Sequence, residues 1–169
     1  MSGHLYLVGF MGAGKSTIGP ILRDRLERDF FDLDEKIVAE AGMPIHRIFN
    51  EEGERYFRNL ESRLLRRISR SKPLIIGLGG GAFMSNLNRS QILRTGTSIW
   101  LQVSFRNAWE RCSGEGTRPL AGNLSQFQEL YRQRQHTYQK CDLHVATDEM
   151  DPESVCDKII NLLQSLEPR

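Results

Sequence analysis

Residues 9–16 read Gly-Phe-Met-Gly-Ala-Gly-Lys-Ser, with Thr17 directly after them. The run fits G-x-x-x-x-G-K-[ST] at every position, a pattern whose chemical logic is a grip on a triphosphate. Glycines let the backbone curl until successive N–H groups point inward at phosphate oxygens. A helix that starts near Lys15 adds the positive end of its dipole. The Lys15 ammonium then reaches the β- and γ-phosphates, and the Ser16 hydroxyl is placed to hold Mg²⁺. A glycine-rich turn with a chance lysine would not need the flanking pattern that is present here. An apolar run, His4–Val8 (HLYLV), ends in Gly9. After the loop, Ile18, Ile21, Leu22 and Leu26 recur at helical spacing, with Pro20 in the first turns. Strand, loop and helix together imply an α/β protein that binds ATP.

The same alternation continues outward. Residues 30–33 form a second short apolar run, followed by a helical stretch over 34–41 that stops at Gly42 and Pro44. Residues 45–70 read as helix with a break near Gly53; Phe57, Leu60, Leu64, Leu65 and Ile68 mark its inner face, and Arg63, Arg66, Arg67 and Arg70 its outer face. Further strands are expected over 74–78, 98–103 and 143–146, and further helices over 86–95, 105–112, 125–140 and 152–166. Residues 113–124, rich in Gly, Asn, Thr and Pro, read as a mobile loop. Strands that alternate with helices predict a parallel sheet covered on both faces, in one domain spanning 1–169.

Composition narrows the function. Lys+Arg number 23 against Asp+Glu 21, a net charge of +2, which is too balanced for nucleic acid to be the main partner. No apolar run approaches the ~20 residues that span a bilayer, and no basic leader with a cleavage site opens the chain. The three cysteines, Cys112, Cys141 and Cys156, match no zinc spacing and read as reduced thiols in a cytoplasmic protein. His4, His46, His136 and His144 show neither triad nor metal spacing. Trp100 and Trp109 read as packing residues.

Two further segments carry chemistry. Asp32-Leu33-Asp34 closes the second strand, where ligands of open α/β sheets sit. Alternate strand residues share a face, so both carboxylates are expected to look towards the phosphates. A helix N-cap followed by a solvated acid is the other reading of the same residues. The third strand ends in Gly79-Gly80-Gly81, which offers bare backbone where a ligand must come close.

Taken together these motifs resemble those of the shikimate kinase family, from the first strand to about Asp142. GFMGAGKST looks like its P-loop, and DLD at 32–34 like its magnesium and acceptor carboxylates. IFNEEGERYFRNLE at 48–61 is similar to its substrate-binding helices, with Phe49, Gly53, Phe57, Arg58 and Glu61 at the family's positions. LGGGA at 78–82 matches its glycine triplet, and TRPL at 117–120 its lid. Arg134, Tyr138, Cys141 and Asp142 match its second carboxylate-binding segment.

The resemblance implies a three-layer P-loop kinase fold with strand order 2-3-1-4-5, substrate helices over about 34–62 and a short lid over about 113–124. It implies transfer of the ATP γ-phosphoryl group to the 3-hydroxyl of shikimate, with Mg²⁺, by a monomer. Gly12, Ala13, Gly14, Lys15, Ser16 and Thr17 would hold the nucleotide phosphates, and Arg111 would stack on adenine. Ser16 and Asp32 would serve the metal. Asp34 would contact the ring hydroxyls and act as the base, taking its proton late because a carboxylate is a weak base at neutral pH. Arg58, Arg134 and Gly79, Gly80 and Gly81 would bind shikimate, and Arg118 would come down from the lid onto the transferring group.

The chain departs from the family at several places. His136 stands where proline is usual and Cys112 where threonine is common, the lid carries Gly114 and Gly116, and the segment near residues 148–152 does not align. Two other readings compete. One is a kinase of another small acceptor, such as gluconate or a nucleoside monophosphate; a nucleotide acceptor would need a base-binding pocket and a larger lid, and Arg58, Arg134 and the glycine triplet argue against it. A regulatory module that has lost catalysis would not need Asp34, Arg58 and Arg118 together.

Overall fold

The computed structural model describes residues 3–113 and 123–166. Its five strands are β1 (His4–Val8), β2 (Phe30–Asp32), β3 (Ile75–Gly77), β4 (Gly96–Gln102) and β5 (Leu143–Ala146). They pair in parallel in the order β2-β3-β1-β4-β5. The helices between them are α1 (Lys15–Leu26), α2 (Leu33–Ala41), α3 (Ile45–Glu51), α4 (Gly53–Ile68), α5 (Asn86–Thr95), α6 (Phe105–Ser113), α7 (Leu124–Tyr138) and α8 (Pro152–Ser165). A short 3-10 turn, Ala82–Met84, follows the glycine triplet. The expected sheet, its order and its helical cover are all present. Of the expected lid over 113–124, residues 114–122, Arg118 among them, lie outside the described residues, while Ser113 ends α6 and Leu124 opens α7.

All five residues of β1 are buried, as a central parallel strand with helices on both faces requires. Strand β4 begins two residues before the expected start at 98, and a Cβ on Gly96 would collide with the backbone of His4, its register partner. Helix α1 looks weak by propensity, since Gly19 and Pro20 fall inside it. The packing explains the glycine: the Phe30 ring of β2 fills the space where a Gly19 side chain would stand. Propensity is given up locally so that α1 can lie close against the sheet and bring its N-terminus to the end of β1.

One expectation is corrected, and the break expected near Gly53 is present. The second strand stops at Asp32, and Leu33 is already the first residue of α2. The Asp32 carboxylate caps that helix, with Oδ1 accepting from the Asp34 N–H at 2.9 Å and the Glu35 N–H at 3.3 Å. Asp32 and Asp34 therefore do not alternate along one strand face. They are a cap and a first-turn residue, which the D-x-D spacing also permits. The break near Gly53 is sharp: α3 ends at Glu51 and Gly53 opens α4 with φ +82°.

Candidate functional site

The phosphate loop is built by the end of β1 and the start of α1. Gly12 (φ +76°) and Gly14 (φ +88°) take left-handed conformations that turn the chain back on itself. No side chain caps the N-terminus of α1, whose N-cap is Gly14. A helix start of this kind presents N–H groups and a positive dipole to an anion. The Lys15 ammonium donates to the Gly9 carbonyl at 2.8 Å and the Phe10 carbonyl at 3.1 Å, so it lies along the rim of the same loop. These features fit a nucleotide triphosphate. Helix α6 backs the loop, and the Arg111 guanidinium donates to the Gly12 carbonyl at 2.8 Å.

Ser16 and Asp32 lie at the starts of α1 and α2. Among the described residues no group of three or more His, Cys, Asp or Glu could hold a metal ion alone. That fits Mg²⁺, which is held through one or two protein oxygens and the phosphates rather than in a protein cage. With Oδ1 of Asp32 committed to the cap, its Oδ2 lies on the β3 side, 3.4 Å from where a Cβ on Gly77 would stand.

The acceptor side centres on residues 79–81, which leave the end of β3 beside the phosphate loop: the Leu78 N–H donates to the Leu7 carbonyl at 3.0 Å. The three glycines have a reason that chain-local reading did not reach. A Cβ on Gly79 would overlap the Asp34 carboxylate, whose Cγ stands 3.1 Å from that position. On Gly80 it would overlap the Arg134 guanidinium, and on Gly81 the Arg58 guanidinium, whose Cζ is 2.7 Å away. Each glycine makes room for one charged side chain, from α2, α7 and α4 in turn. A carboxylate and two guanidiniums thus converge on one bare turn.

Both arginines are seated on aromatic rings. Arg134 lies 5.4 Å from the Phe10 centroid and Arg58 5.0 Å from that of Phe57. Phe57 stacks in turn on Phe49, with centroids 4.8 Å apart. Phe10 also meets Phe127 and Tyr131 of α7 edge-on, at 5.0 and 5.2 Å. The residue between Gly9 and Met11 therefore ties the phosphate loop to the helix that carries Arg134.

Sequence reasoning assigned no role to Glu61. It is wholly buried, and both its oxygens accept from the Arg58 Nη1 at 3.1 Å. Glu54 accepts from the same guanidinium at 3.3 Å from the solvent side. Burial pushes the Glu61 carboxyl up to about 7; Arg58 and Arg134 oppose the shift and the Asp34 charge adds to it. The signal was in the sequence as an Arg–Glu pair at three-residue helical spacing. What could not be read there was that only one of the two is buried. Lys15, Ser16, Asp32, Asp34, Arg58, the three glycines and Arg134 all border the two facing loops, while Arg118 falls outside the described residues.

Comparison with known proteins is consistent across methods of matching. The family model described as Shikimate kinase matches residues 11–164. A shikimate kinase of Persephonella marina is 38% identical over 162 residues, covering 95% of this chain and 99% of its own. The structure of a shikimate kinase from Acinetobacter baumannii in complex with shikimate superposes with a TM-score of 0.93 at 29% identity, over 100% of this chain and 97% of that one. That of the shikimate kinase from Aquifex aeolicus gives 0.85 at 34% identity, over 95% and 96%.

Proposed function

This chain belongs to the shikimate kinase family, and from that premise we propose how its residues divide the transfer of the ATP γ-phosphoryl group to the 3-hydroxyl of shikimate. The enzyme is an ATP:shikimate phosphotransferase that works with Mg²⁺. The observation that carries the assignment of its acceptor site is the convergence of Asp34, Arg58 and Arg134 on residues 79–81.

In that assignment the loop of Gly12, Ala13, Gly14, Lys15, Ser16 and Thr17 cradles the phosphates, and Arg111 lies over the nucleotide base. Ser16 directly and Asp32 through water would hold the Mg²⁺, which supplies charge to the β- and γ-phosphate oxygens. Arg58 and Arg134 clamp the acceptor carboxylate from two helices. Their seats on Phe57 and Phe10 leave each guanidinium few orientations, so less freedom is lost on binding. Asp34 accepts from the ring hydroxyls and takes the proton as the new P–O bond forms and the bond to ADP breaks. With charge spread over peripheral oxygens in a loose transition state, orientation and cations carry most of the rate. Arg118 is read as the cation that joins from the lid. The described residues of the site come from one chain, which supports action as a monomer in one domain, and the three thiols support a cytoplasmic setting. Among the described residues no helix is long and apolar enough to cross a membrane.

ADP release should depend on shikimate when the protein is mixed with ATP and Mg²⁺, and should stay at background with gluconate, a nucleoside monophosphate or no acceptor. Turnover with a nucleoside monophosphate but not with shikimate would reject the reading.

The Glu61–Arg58 pair makes the acceptor site sensitive to pH. The ionised carboxylate holds Arg58 in place, so the KM for shikimate should rise several-fold as pH falls from 8 to 6, through about 7. Fold stability should move the other way. A carboxyl raised from its ordinary 4.5 to about 7 contributes stability that is full below 4.5 and is lost as pH rises through 7. Glu61→Gln should flatten the KM profile and fix it near its acid value. A wild-type KM that is flat from pH 6 to 8 would remove Glu61 from this role.

A further inference from the structure

The turn at 79–81 has one more partner, deep in the protein. The Tyr138 hydroxyl donates to the Gly80 carbonyl at 2.6 Å. Tyr138 is wholly buried and lies one helical turn beyond Arg134 on α7. Its ring rests against Trp100, with centroids 6.0 Å apart. A Cβ on Gly80 would overlap the Arg134 guanidinium and come within 3.4 Å of the Tyr138 oxygen, so both side chains meet the same residue of the turn. Burial pushes the hydroxyl up to about 12, with the Arg134 charge and the hydrogen bond of Arg134 to the hydroxyl pulling the other way, and it remains a protonated donor throughout the working range.

Packing alone does not call for a hydroxyl here. Helix α7 fills its other fully buried aromatic position with Phe127, which has none. The Gly80 carbonyl takes its donor from Tyr138, and the other donor beside Gly80 is Arg134. We propose that Tyr138 is a positioning residue for the acceptor carboxylate: by occupying the Gly80 carbonyl beside Arg134 it keeps that guanidinium from turning onto the loop and directs it to the ligand. The inference rests on Arg134 being a carboxylate-binding residue. It makes Tyr138 a determinant of shikimate affinity without contact to shikimate.

The test is Tyr138→Phe, studied by initial rates of ADP release with each substrate varied in turn, beside the wild type, Arg134→Ala and the double variant. The KM for shikimate should rise about tenfold, while the KM for ATP and kcat stay within about threefold. In the Arg134→Ala background the same change should alter the shikimate KM by less than about twofold, because the residue it acts through is gone. An unchanged shikimate KM, an equal rise in both KM values, or the same tenfold effect in both backgrounds would overturn the proposal. So would a Phe variant that is unfolded at the assay temperature, which would make the hydroxyl a folding requirement. Absence of shikimate-dependent turnover in the wild type would instead sink the functional reading itself, before any variant is compared.

Discussion

Asparagine in place of Asp34 is expected to lower kcat by about 10²–10⁴ and to leave the KM for ATP within about twofold. The substitution keeps the shape of the side chain, and asparagine still accepts a hydrogen bond from a ring hydroxyl. It loses the capacity to take the proton when the P–O bond forms. The change should also be quiet structurally. The Asp34 backbone N–H still donates to the Asp32 cap. The negative charge lost from the first turn of α2 stabilises a helix by only about 0.3–1 kcal/mol. Placement beside Gly79 rather than on a strand sharpens the prediction, since Asp34 lies against the acceptor turn. Equilibrium binding of ATP and steady-state kinetics of the purified variant check both halves. A kcat close to wild type would remove Asp34 as the proton acceptor, and weakened ATP binding would place it on the wrong side of the site.

How far the sequence could be read follows the range of the contacts involved. The phosphate loop is a local structure: glycines at positive φ, a strand before and a helix after lie within a few residues, so its conformation was legible. The order of strands was reached only through resemblance, because nothing local distinguishes β3 from β4 as the neighbour of β1. Asp32-Leu33-Asp34 was ambiguous in principle, since alternation along a strand and an N-cap with a first-turn acid have the same spacing. Tertiary packing decided it by ending β2 after three residues. The glycine triplet was legible as a site but not as a mechanism. Its cause lies in Asp34, Arg134 and Arg58, 23 to 54 positions away, none of which announces from the sequence which glycine it will overlap. Gly19 is the same lesson in the fold, a helix breaker by propensity that is required by the Phe30 ring. Burial of Glu61 belongs to this class, because four helical residues of mixed polarity give no sign that one acid will be sealed beneath the site.

Removal of the Arg58 side chain carries that buried acid into the second large prediction. Arg58→Ala should raise the KM for shikimate by about 10²-fold, the loss expected when one of two charged donors to a carboxylate is truncated, and should hardly change the KM for ATP. Stability is harder to foresee from the contact alone. An ionised carboxylate left buried without its cation costs about 3–5 kcal/mol. Glu61 has an escape, because with Arg58 present its carboxyl already titrates near about 7. Without the guanidinium, which only lowered that value, the group takes up a proton and stays neutral at ordinary pH. The penalty at pH 7 should then shrink to about 1–2 kcal/mol and grow as the solution is made alkaline. Urea unfolding of Arg58→Ala and wild type at pH 6 and pH 8.5 reads this directly, with the gap between them wider at the higher pH. A gap of equal size at both would mean that Glu61 does not carry the charge that Arg58 balances. An unchanged shikimate KM would mean that Arg58 serves Glu61 alone and not the acceptor. The two readouts separate the proposed outward duty of the guanidinium from its inward one, and one variant tests both because the arginine that faces the turn at Gly81 also pairs with the acid beneath it.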